Sequence, residues 1–432
     1  SEKNHLLDKF SPKVQTRATL LGNLASQLLD ETVNHGDSAD YVTAVRKFFR
    51  SAPIDITTCE DMDARFHDDA KMQLANLKTI IKRVQTEDRN YRKDKVMLEP
   101  SFVCETLGLQ GRMDLLQSDF SLLMEQKSGK RDDFNHRHQT QHYIQMLMYL
   151  AMLHYGFGKK NDEISAYLLY SKYPDGLMRE SNAPEVVAKS IRLRNRIVTQ
   201  DLALAEPGGA RRIIGALTPE SLNLKQDTSK LWTDYQRPLI VKLLTPLNKA
   251  SKEELDYFYR FFTFVARENI MNRVGNRIKE NSGFASLWTS SLEERRRAGN
   301  IMDCMRIDRL VTDEDGTVTA IELVRDDTVY DDALSSCEYL PNFRVGDIIV
   351  LYKYNTSLEP DVRKAIEHRA TIYSLADNRV SVRLRAPQRS REVFGTREGY
   401  AWAVEHDYID SSFGAQYRAL YSLLSTNASR KK

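Results

Sequence analysis

The sequence predicts an α/β protein in which a mixed sheet is flanked by helices and is followed by a helical region and a small C-terminal β-barrel. Apolar residues recur at helical spacing in the first ninety residues, as in TLLGNLASQLLDETV at 19–33. Short apolar runs punctuated by Gly and Asp then indicate strands between residues 96 and 130. From residue 309 onward, alternating runs such as FRVGDIIVLYKYN indicate the barrel.

The chain is too long for one compact core, because its 432 residues exceed the usual size of a domain. HRHQTQHYIQMLMYLAMLHYGF predicts a long helix against the sheet, and residues 184–307, including LEERRRAGNIMDCM, have a mostly helical pattern. We therefore expect an α/β domain over residues 1–215, a helical connecting region over 216–308, the barrel over 309–398 and a helical segment over 399–432.

Composition is that of a globular protein, with 41% hydrophobic and 28% charged residues, which argues against wholesale disorder. The net charge of +3 is too small to indicate nucleic-acid binding, so any such surface must be local. Cys59, Cys104, Cys304 and Cys337 are scattered without a CxxC pair, which disfavours a disulfide framework and a zinc knuckle. We interpret them as reduced, mostly structural thiols.

Neither the amino end of the sequence nor its apolar runs indicate a membrane protein. SEKNHLLDKFSPK has no apolar segment of the kind found in signal peptides, and no stretch of about 18 apolar residues occurs. We expect a cytoplasmic protein that does not associate with a membrane.

Two carboxylates and a lysine carry the chemistry that the sequence predicts. Asp114 ends GLQGRMD, and Glu125 and Lys127 lie in LLMEQKSG on the next predicted strand. Strand alternation points Glu125 and Lys127 to one face and Gln126 to the other, and strand pairing brings Asp114 alongside. Hard oxygen ligands of this kind suit Mg²⁺ or Mn²⁺, and the peptide carbonyl of Gln126 is a further candidate ligand.

The alternative interpretation of these residues is a surface hairpin with ordinary charges, since a D…ExK spacing often arises by chance. Leu123 and Met124 make the strand apolar up to the glutamate. Glu125 and Lys127 therefore lie where a buried strand meets polar surroundings, which is a costly place for charges without a function.

Three motifs in order resemble the RecB-type branch of the PD-(D/E)XK nucleases, which carries G-x-x-D, then E-x-K, then Q-x-x-x-Y. The matching segments are Gly111–Asp114, Glu125–Lys127 and Gln139–Tyr143. The resemblance implies a restriction-endonuclease-like core and a metal-dependent nuclease in which Asp114 and Glu125 bind metal and Lys127 orients water or stabilises the transition state. It also implies that Gln139 and Tyr143 face the active site and the DNA backbone.

The third motif is not unique in this sequence. Gln145 and Tyr149 repeat the Q-x-x-x-Y spacing further along the same predicted helix. Ordinary helix packing is also an alternative role for Tyr143.

One position departs from the family pattern. The branch usually has a histidine in an early helix, in a pattern like G-x-x-x-H, as a further metal ligand, and GNLASQLLDE has Ser26 in that place. The second metal site is then weak, or another residue such as Glu31 or His67 replaces the histidine.

A histidine cluster precedes and enters the same predicted helix. His136, His138 and His142 resemble a zinc site in composition, but their spacing puts only His138 and His142 on a common helical face. We prefer the interpretation that these side chains are solvated.

The C-terminal half resembles the region between nuclease and motor in the Okazaki-flap nuclease-helicases, where an LW…ER…G pattern leads into a β-barrel. The resemblance implies helicase motor domains in cis beyond the C-terminus. No GxxxxGK[ST] occurs, so we expect no ATP site in this chain. The scattered cysteines do not reproduce the cluster pattern of those enzymes, so we expect no iron–sulfur cluster.

Basic residues near the catalytic strand are candidates for binding DNA. Lys130 and Arg131 directly follow the predicted metal-binding strand. Arg295, Arg296 and Arg297 are further candidates, but we slightly favour a solvated helix face on which they pair with Glu293 and Glu294.

These observations together predict a Mg²⁺- or Mn²⁺-dependent deoxyribonuclease that acts on single-stranded ends or flaps, as the N-terminal part of a nuclease-helicase of DNA repair or replication. The alternative is a noncatalytic nucleic-acid-binding scaffold or an accessory region of a superfamily-one helicase.

Overall fold

The computed structural model describes residues 2–11, 13–275, 283–326, 341–376, 378–395, 398–407 and 411–426. The α-helices are α1 (Glu2–Asp8), α2 (Arg17–His35), α3 (Tyr41–Ser51), α4 (Pro53–Thr57), α5 (Arg65–Glu87), α6 (Thr140–Phe157), α7 (Pro184–Ala205), α8 (Gly209–Ile214), α9 (Pro219–Leu222), α10 (Arg237–Lys249), α11 (Lys252–Val274), α12 (Ser286–Thr289), α13 (Leu292–Arg297) and α14 (Ser411–Ser425). The β-strands are β1 (Val96–Leu98), β2 (Ser101–Cys104), β3 (Leu109–Arg112), β4 (Leu115–Gln117), β5 (Leu122–Lys127), β6 (Ser165–Tyr170), β7 (Leu177–Glu180), β8 (Ile301–Thr312), β9 (Val318–Arg325), β10 (Ile348–Asn355), β11 (His368–Ala376), β12 (Arg379–Gln388) and β13 (Tyr400–His406).

The chain forms two compact units. The larger unit comprises Val14–Val187 and Leu287–Asp407, and the helical unit comprises Ser1–Lys13, Ala188–Ser286 and Tyr408–Lys432. The four-segment division made from the sequence stays a prediction.

The larger unit contains a five-stranded mixed sheet with β5 at its centre. The strand order is β1-β4-β5-β6-β7, with β5 and β6 parallel and the other neighbours antiparallel. A short hairpin of β2 and β3 lies beside it. The predicted α/β class with a mixed sheet is confirmed.

The two faces of this sheet bury different helices, because successive residues of β5 point to opposite sides. Leu123 packs in the core that contains the apolar side chains of α6. Leu122 and Met124 pack in the core formed with α2, α3 and α5. Helices therefore cover both faces, as the sequence predicted.

A closed barrel of six antiparallel strands follows, with the order β10-β11-β12-β9-β8-β13 around the ring. The predicted β-barrel is confirmed. The helical pattern predicted through residues 292–305 is wrong beyond Arg297, where α13 ends. Gly299 follows with φ +70, a conformation that ends helices, and β8 starts at Ile301.

Hydrogen bonds to backbone groups join the barrel part of the chain to β1 of the sheet and to β2 of the hairpin within the larger unit. The Gln388 side chain accepts from the Leu98 backbone N–H at 2.9 Å and donates to the Leu98 carbonyl at 2.8 Å. Ser101 and Glu367 exchange two backbone hydrogen bonds of 3.0 Å. These bonds satisfy edge groups that burial would otherwise leave unpaired.

Aromatic side chains form the core of the helical unit. Phe10 from the start of the chain packs on Phe262 of α11, with ring centroids 5.7 Å apart. The ring of Phe262 in turn packs on that of Tyr417 in α14, with centroids 4.4 Å apart. Residues from both ends of the chain and from its middle thus contribute to one core.

Two of the three consecutive arginines are buried, so the interpretation as a solvated helix face is wrong for Arg295 and Arg296, and neither is available to DNA. Arg295 is 4% exposed, and its guanidinium donates to the Glu405 carboxylate at 2.9 Å. Arg296 is also buried, and its guanidinium lies 2.5 Å from the Asp303 carboxylate. Arg297 is exposed, and its partner is Glu293 at 2.6 Å, as predicted. The partner of Arg295 is 110 residues away in sequence, and that of Arg296 lies on the strand that follows the helix, so the charges flanking the arginines on the helix were misleading.

Cys59, Cys104 and Cys304 are free and buried, in agreement with structural thiols, and Cys337 lies outside the described residues. Within the described part of the chain, every helix is too short or too polar to cross a membrane.

The buried Arg295–Glu405 pair makes a prediction about stability. Arg295→Ala leaves the Glu405 carboxylate, which is 0% exposed, without its cation, so we expect a loss of about 3–5 kcal/mol in the free energy of unfolding. Arg297→Ala removes an exposed pair and should cost less than about 1 kcal/mol. Urea unfolding measures both, and equal losses would contradict the structural role of Arg295.

Candidate active site

The end of β5 places two charged side chains on one face of the sheet. Glu125 and Lys127 follow Leu123 at every second residue, so they point towards α6. Gln126 points to the opposite face, where its side chain donates to the Ala25 carbonyl of α2 at 3.1 Å. The alternation predicted from the sequence is present.

Asp114 lies beside Glu125 because of the pairing between β4 and β5. Leu115 pairs with Met124, so the residue before β4 comes opposite Glu125. The Asp114 carboxylate also accepts the backbone N–H of Gln126 at 2.7 Å. This bond fixes the carboxylate against the catalytic strand.

Lys127 connects the acidic pair to α6. Its Nζ donates to Glu125 Oε1 at 2.7 Å and to Gln145 Oε1 at 2.8 Å. Glu125 is only 2% exposed, and its other oxygen, Oε2, is buried without a hydrogen-bond partner. An unpartnered buried carboxylate oxygen is costly unless a cation or a proton completes it.

Burial, together with the neighbouring Asp114 charge, raises the pKa of Glu125 to about 8, although Lys127 acts in the opposite direction. Burial also raises the pKa of Asp114, against the hydrogen bond from Gln126. Perturbed carboxyl groups of this kind are typical of functional sites. A cation bound between the two carboxylates would favour their ionised forms and so lower both pKa values.

The second copy of the Gln-x-x-x-Tyr spacing reaches this cluster. Gln145, which accepts from Lys127, donates to Tyr149 Oη at 3.0 Å, and Tyr149 donates to the Arg112 carbonyl at 2.7 Å. Burial raises the pKa of Tyr149, so the phenol stays protonated. The chain of bonds holds the Lys127 ammonium in place.

The first copy makes different contacts. Gln139 precedes α6 and donates to the Lys130 carbonyl at 2.6 Å. Tyr143 donates to the Ser181 carbonyl at 2.8 Å and stacks on His138 at 4.3 Å. Within the described residues, neither side chain bonds to the acidic pair or to the lysine. Their catalytic role stays a prediction.

The residues considered as replacements for the early histidine have other partners. Ser26 donates to a carbonyl of its own helix at 3.4 Å. Glu31 lies 3.4 Å from Lys47, and His67 bonds to Tyr41 at 2.8 Å. These contacts do not join any of the three to Asp114.

Asp30 is an acidic residue of this region that the sequence interpretation missed. It lies one helical turn after Ser26, and burial together with the charges of Glu99 and Asp114 raises its pKa well above the ordinary value. The Glu99 backbone N–H donates to the Asp114 carbonyl at 3.1 Å. The signal in the sequence was the i+4 spacing from Ser26, which puts both residues on one helical face.

The two basic residues after β5 differ in their surroundings. Lys130 is exposed, and its side chain has no hydrogen bond or ion pair with any described residue. Arg131 bonds to Asp175 at 3.0 Å and lies over the Tyr173 ring at 4.5 Å. Their predicted role in DNA binding stays a prediction.

The histidine cluster is divided between different partners. His138 Nδ1 lies 2.5 Å from Glu180, and His142 Nδ1 lies 2.9 Å from Tyr170 Oη, whereas His136 is exposed. Over the described ranges, no group of three or more His, Cys, Asp or Glu side chains is arranged to hold a metal ion.

Asp114 and Glu125 nevertheless fit a hard divalent cation. Both are carboxylates, the donor type that such cations prefer, and Glu125 Oε2 is a buried acceptor that lacks a donor. Lys127 bonds to the other Glu125 oxygen and thereby compensates part of the charge that a cation would neutralise.

Comparison with known families agrees with this geometry. The family model described as PD-(D/E)XK nuclease superfamily matches residues 5–237, which is more than half of the chain. The chain belongs to the PD-(D/E)XK nuclease superfamily. These proteins are nucleases, which are hydrolases, and they generally use divalent metals such as Mg²⁺. None of the curated proteins matches the chain.

The raised pKa of Glu125 makes a prediction about pH. Its folded-state pKa of about 8 exceeds the ordinary 4.5, so folding favours the protonated form. The stability from this group is present in full below pH 4.5 and is lost as the pH rises towards 8. Glu125→Gln cannot ionise and so avoids that loss. In metal-free buffer, the free energy of unfolding of the variant should therefore rise relative to that of the wild type by up to about 1.4 kcal/mol per pH unit.

Urea unfolding between pH 5 and pH 8 measures this difference. Glu163→Gln, at a side chain that is 62% exposed, is the control and should follow the wild type at every pH. A constant difference between Glu125→Gln and the wild type would show that Glu125 titrates at its ordinary pKa.

Proposed function

We propose that the chain is a Mg²⁺- or Mn²⁺-dependent deoxyribonuclease of the RecB-type branch that hydrolyses single-stranded DNA at ends or flaps. The observation that carries the proposal is the buried Glu125 carboxylate between Asp114 and the Lys127 ammonium. Phosphodiester hydrolysis requires ligands for the metal ion that activates water and a positive charge near the phosphate. The two carboxylates and the lysine at the end of β5 supply both.

The metal ion, when bound by Asp114, Glu125 and the Gln126 carbonyl, supplies Lewis-acid activation of water and offsets charge on the phosphate. Lys127 lies within reach of the same carboxylate and stabilises negative charge that develops on the phosphate oxygens. Gln145 restrains the ammonium from α6, which keeps its position fixed before substrate binds. Asp30 adds a further carboxylate on the side of α2.

Two features support the assignment to the RecB-type branch. G-x-x-D, E-x-K and Q-x-x-x-Y follow one another in the sequence, and the third motif has a copy, Gln145 with Tyr149, that bonds to the catalytic lysine. The barrel that follows the nuclease core corresponds to the order of elements in the Okazaki-flap nuclease-helicases. A helicase motor in cis, beyond Lys432, belongs to this proposal, as do the expected lack of an ATP site and of an iron–sulfur cluster in this chain.

Removal of Glu125 and Lys127 tests the proposal. Glu125→Gln and Lys127→Ala should each lower the Mg²⁺-dependent cleavage rate of a single-stranded oligonucleotide by about 10²-fold or more, because each removes charge stabilisation at the reacting phosphate. The measurement is the appearance of shorter oligonucleotides on a denaturing gel.

Glu367→Gln is the matched control for this experiment. Glu367 is 3% exposed with a pKa of about 8, like Glu125, but it lies in the barrel part of the chain. Its substitution should leave cleavage unchanged. Undiminished cleavage by the double variant of Glu125 and Lys127 would reject the proposed active site.

The two copies of the Gln-x-x-x-Tyr motif give a separate prediction. Gln145→Ala releases the Lys127 ammonium and should lower the cleavage rate by about tenfold or more, since a misplaced catalytic group loses much of its effect. Gln139→Ala should have a smaller effect. The reverse order of the two effects would support the sequence-based choice of Gln139 and Tyr143.

A second candidate function is noncatalytic nucleic-acid binding, and one observation favours it. The Lys127 ammonium donates to Glu125 Oε1, so the charge of the acidic pair is already partly neutralised without a metal ion. This function predicts that the wild type binds single-stranded DNA without cleaving it in Mg²⁺ or Mn²⁺, and that Asp114→Ala changes neither result.

A further inference from the structure

A cleft opens beside the end of β5, within the larger unit, and has a cavity volume of ≈ 170 Å³. It lies between the first turns of α2, the first half of α5 and the loops that follow β5 and β6. The side chains that matter for its chemistry are Arg17, Leu21, Met72, Lys130 and Lys172. This volume is several times that of one water molecule, so the cleft accommodates a sizeable group.

Two uncompensated positive charges line the cleft. The side chains of Lys130 and Lys172 form no hydrogen bond or ion pair with any residue that the structure describes, although Lys172 is half-buried. The acidic residue of the lining, Asp69, is already paired with Arg17 at 2.5 Å. Arg17 also pairs with Asp63 at 2.6 Å, so the two lysines determine the local potential. The cleft therefore attracts an anion.

Part of the lining is apolar. Met72 lies on α5 with 41% of its surface exposed, and Leu21 of α2 also contributes to the lining. A thioether and a leucine together provide an adaptable surface for a flat or irregular apolar group. A nucleotide combines the two features, because it carries a phosphate at one end and a sugar and base at the other.

The cleft is close to the candidate active site along the chain. Lys130 is three residues after Lys127, so their Cα atoms are at most about 11 Å apart. Lys127 points towards α6, whereas the cleft is lined by α2 and α5, and the loop after β5, with Ser128 and Gly129 in the lining, connects the two places. Single-stranded DNA carries a phosphate at each nucleotide, so a strand that passes around the end of β5 can place one phosphate at Lys127 and a flanking nucleotide in the cleft. The side chain of Lys172 comes from the loop directly after β6, the parallel neighbour of β5.

We propose that this cleft binds a nucleotide that flanks the cleaved bond, with its phosphate on Lys130 and Lys172 and its sugar or base against Met72. The inference rests on the proposed nuclease function and adds a defined subsite to it. Because the wall contacts are apolar and the phosphate contacts are lysines, the subsite binds a single strand without reading its sequence.

The test uses the full chain with Asp114→Asn throughout, so that the strand stays intact, and a fluorescent single-stranded oligonucleotide. Lys130→Gln with Lys172→Gln should weaken binding and lower the slope of log K against log salt concentration by about 0.7 for each lysine. Lys93→Gln with Lys364→Gln is the control, since both lysines are exposed and unpaired among the described residues. Fluorescence anisotropy at several salt concentrations measures both quantities.

A substrate change makes the assignment specific. Replacement of one phosphate by an uncharged methylphosphonate, position by position, should identify one position where the loss of affinity matches that of the double lysine variant. In that variant the same replacement should cost nothing further, because the interaction is already absent. Met72→Ser should weaken binding without a change in salt slope.

The outcomes separate the subsite from the proposed function. Equal binding and equal slopes for the lysine pair and the control pair would overturn the subsite, even if the wild type cleaves DNA. Undiminished binding by Met72→Ser would overturn the sugar or base contact. A third outcome is that the losses of affinity caused by the double lysine variant and by the methylphosphonate are non-additive while the wild type does not cleave DNA in Mg²⁺ or Mn²⁺. In that case the subsite stands and the nuclease proposal fails.

Discussion

The bond between Lys127 and Glu125 is the interaction on which the candidate site depends. Glu125 lies at the end of the central strand, 2% exposed, and one of its oxygens has no hydrogen-bond partner. A carboxylate in such a place raises the free energy of the folded state unless a cation or a proton accompanies it. The ammonium at 2.7 Å and the hydrogen bond from the Gln126 backbone to Asp114 keep the pair together.

Much of this site was predictable from the sequence because strand geometry is periodic. A period of two fixed which of Glu125, Gln126 and Lys127 share a face, and a short hairpin brought Asp114 opposite Glu125. The helix that supplies the glutamine was not determined in the same way. Two copies of one spacing lie on it, and only the packing of α6 against β5 brings Gln145 to the lysine.

Long-range contacts account for what the sequence did not predict. Arg295 has the flanking charges of a solvated helix, yet Glu405, far along the chain, buries it. The spacing of Asp30 from Ser26 placed both on one helical face, but only the fold shows that the charges of Asp114 and Glu99 act on Asp30. Lys130 and Lys172 line one cleft only because the fold brings the loops after β5 and β6 next to α2 and α5. In each case the partner comes from another element, so local pattern carries no information about it.

Metal binding with proton release is the most direct test of the account. At pH 7 the Glu125 carboxyl, whose pKa is about 8, is mostly protonated, so binding of Mg²⁺ or Mn²⁺ should release about one proton. Calorimetric titration of the full chain in two buffers of different ionisation enthalpy measures that number. The account predicts binding with proton release by the wild type and its loss in Asp114→Asn. Binding without proton release, or equal binding by Asp114→Asn, would contradict it.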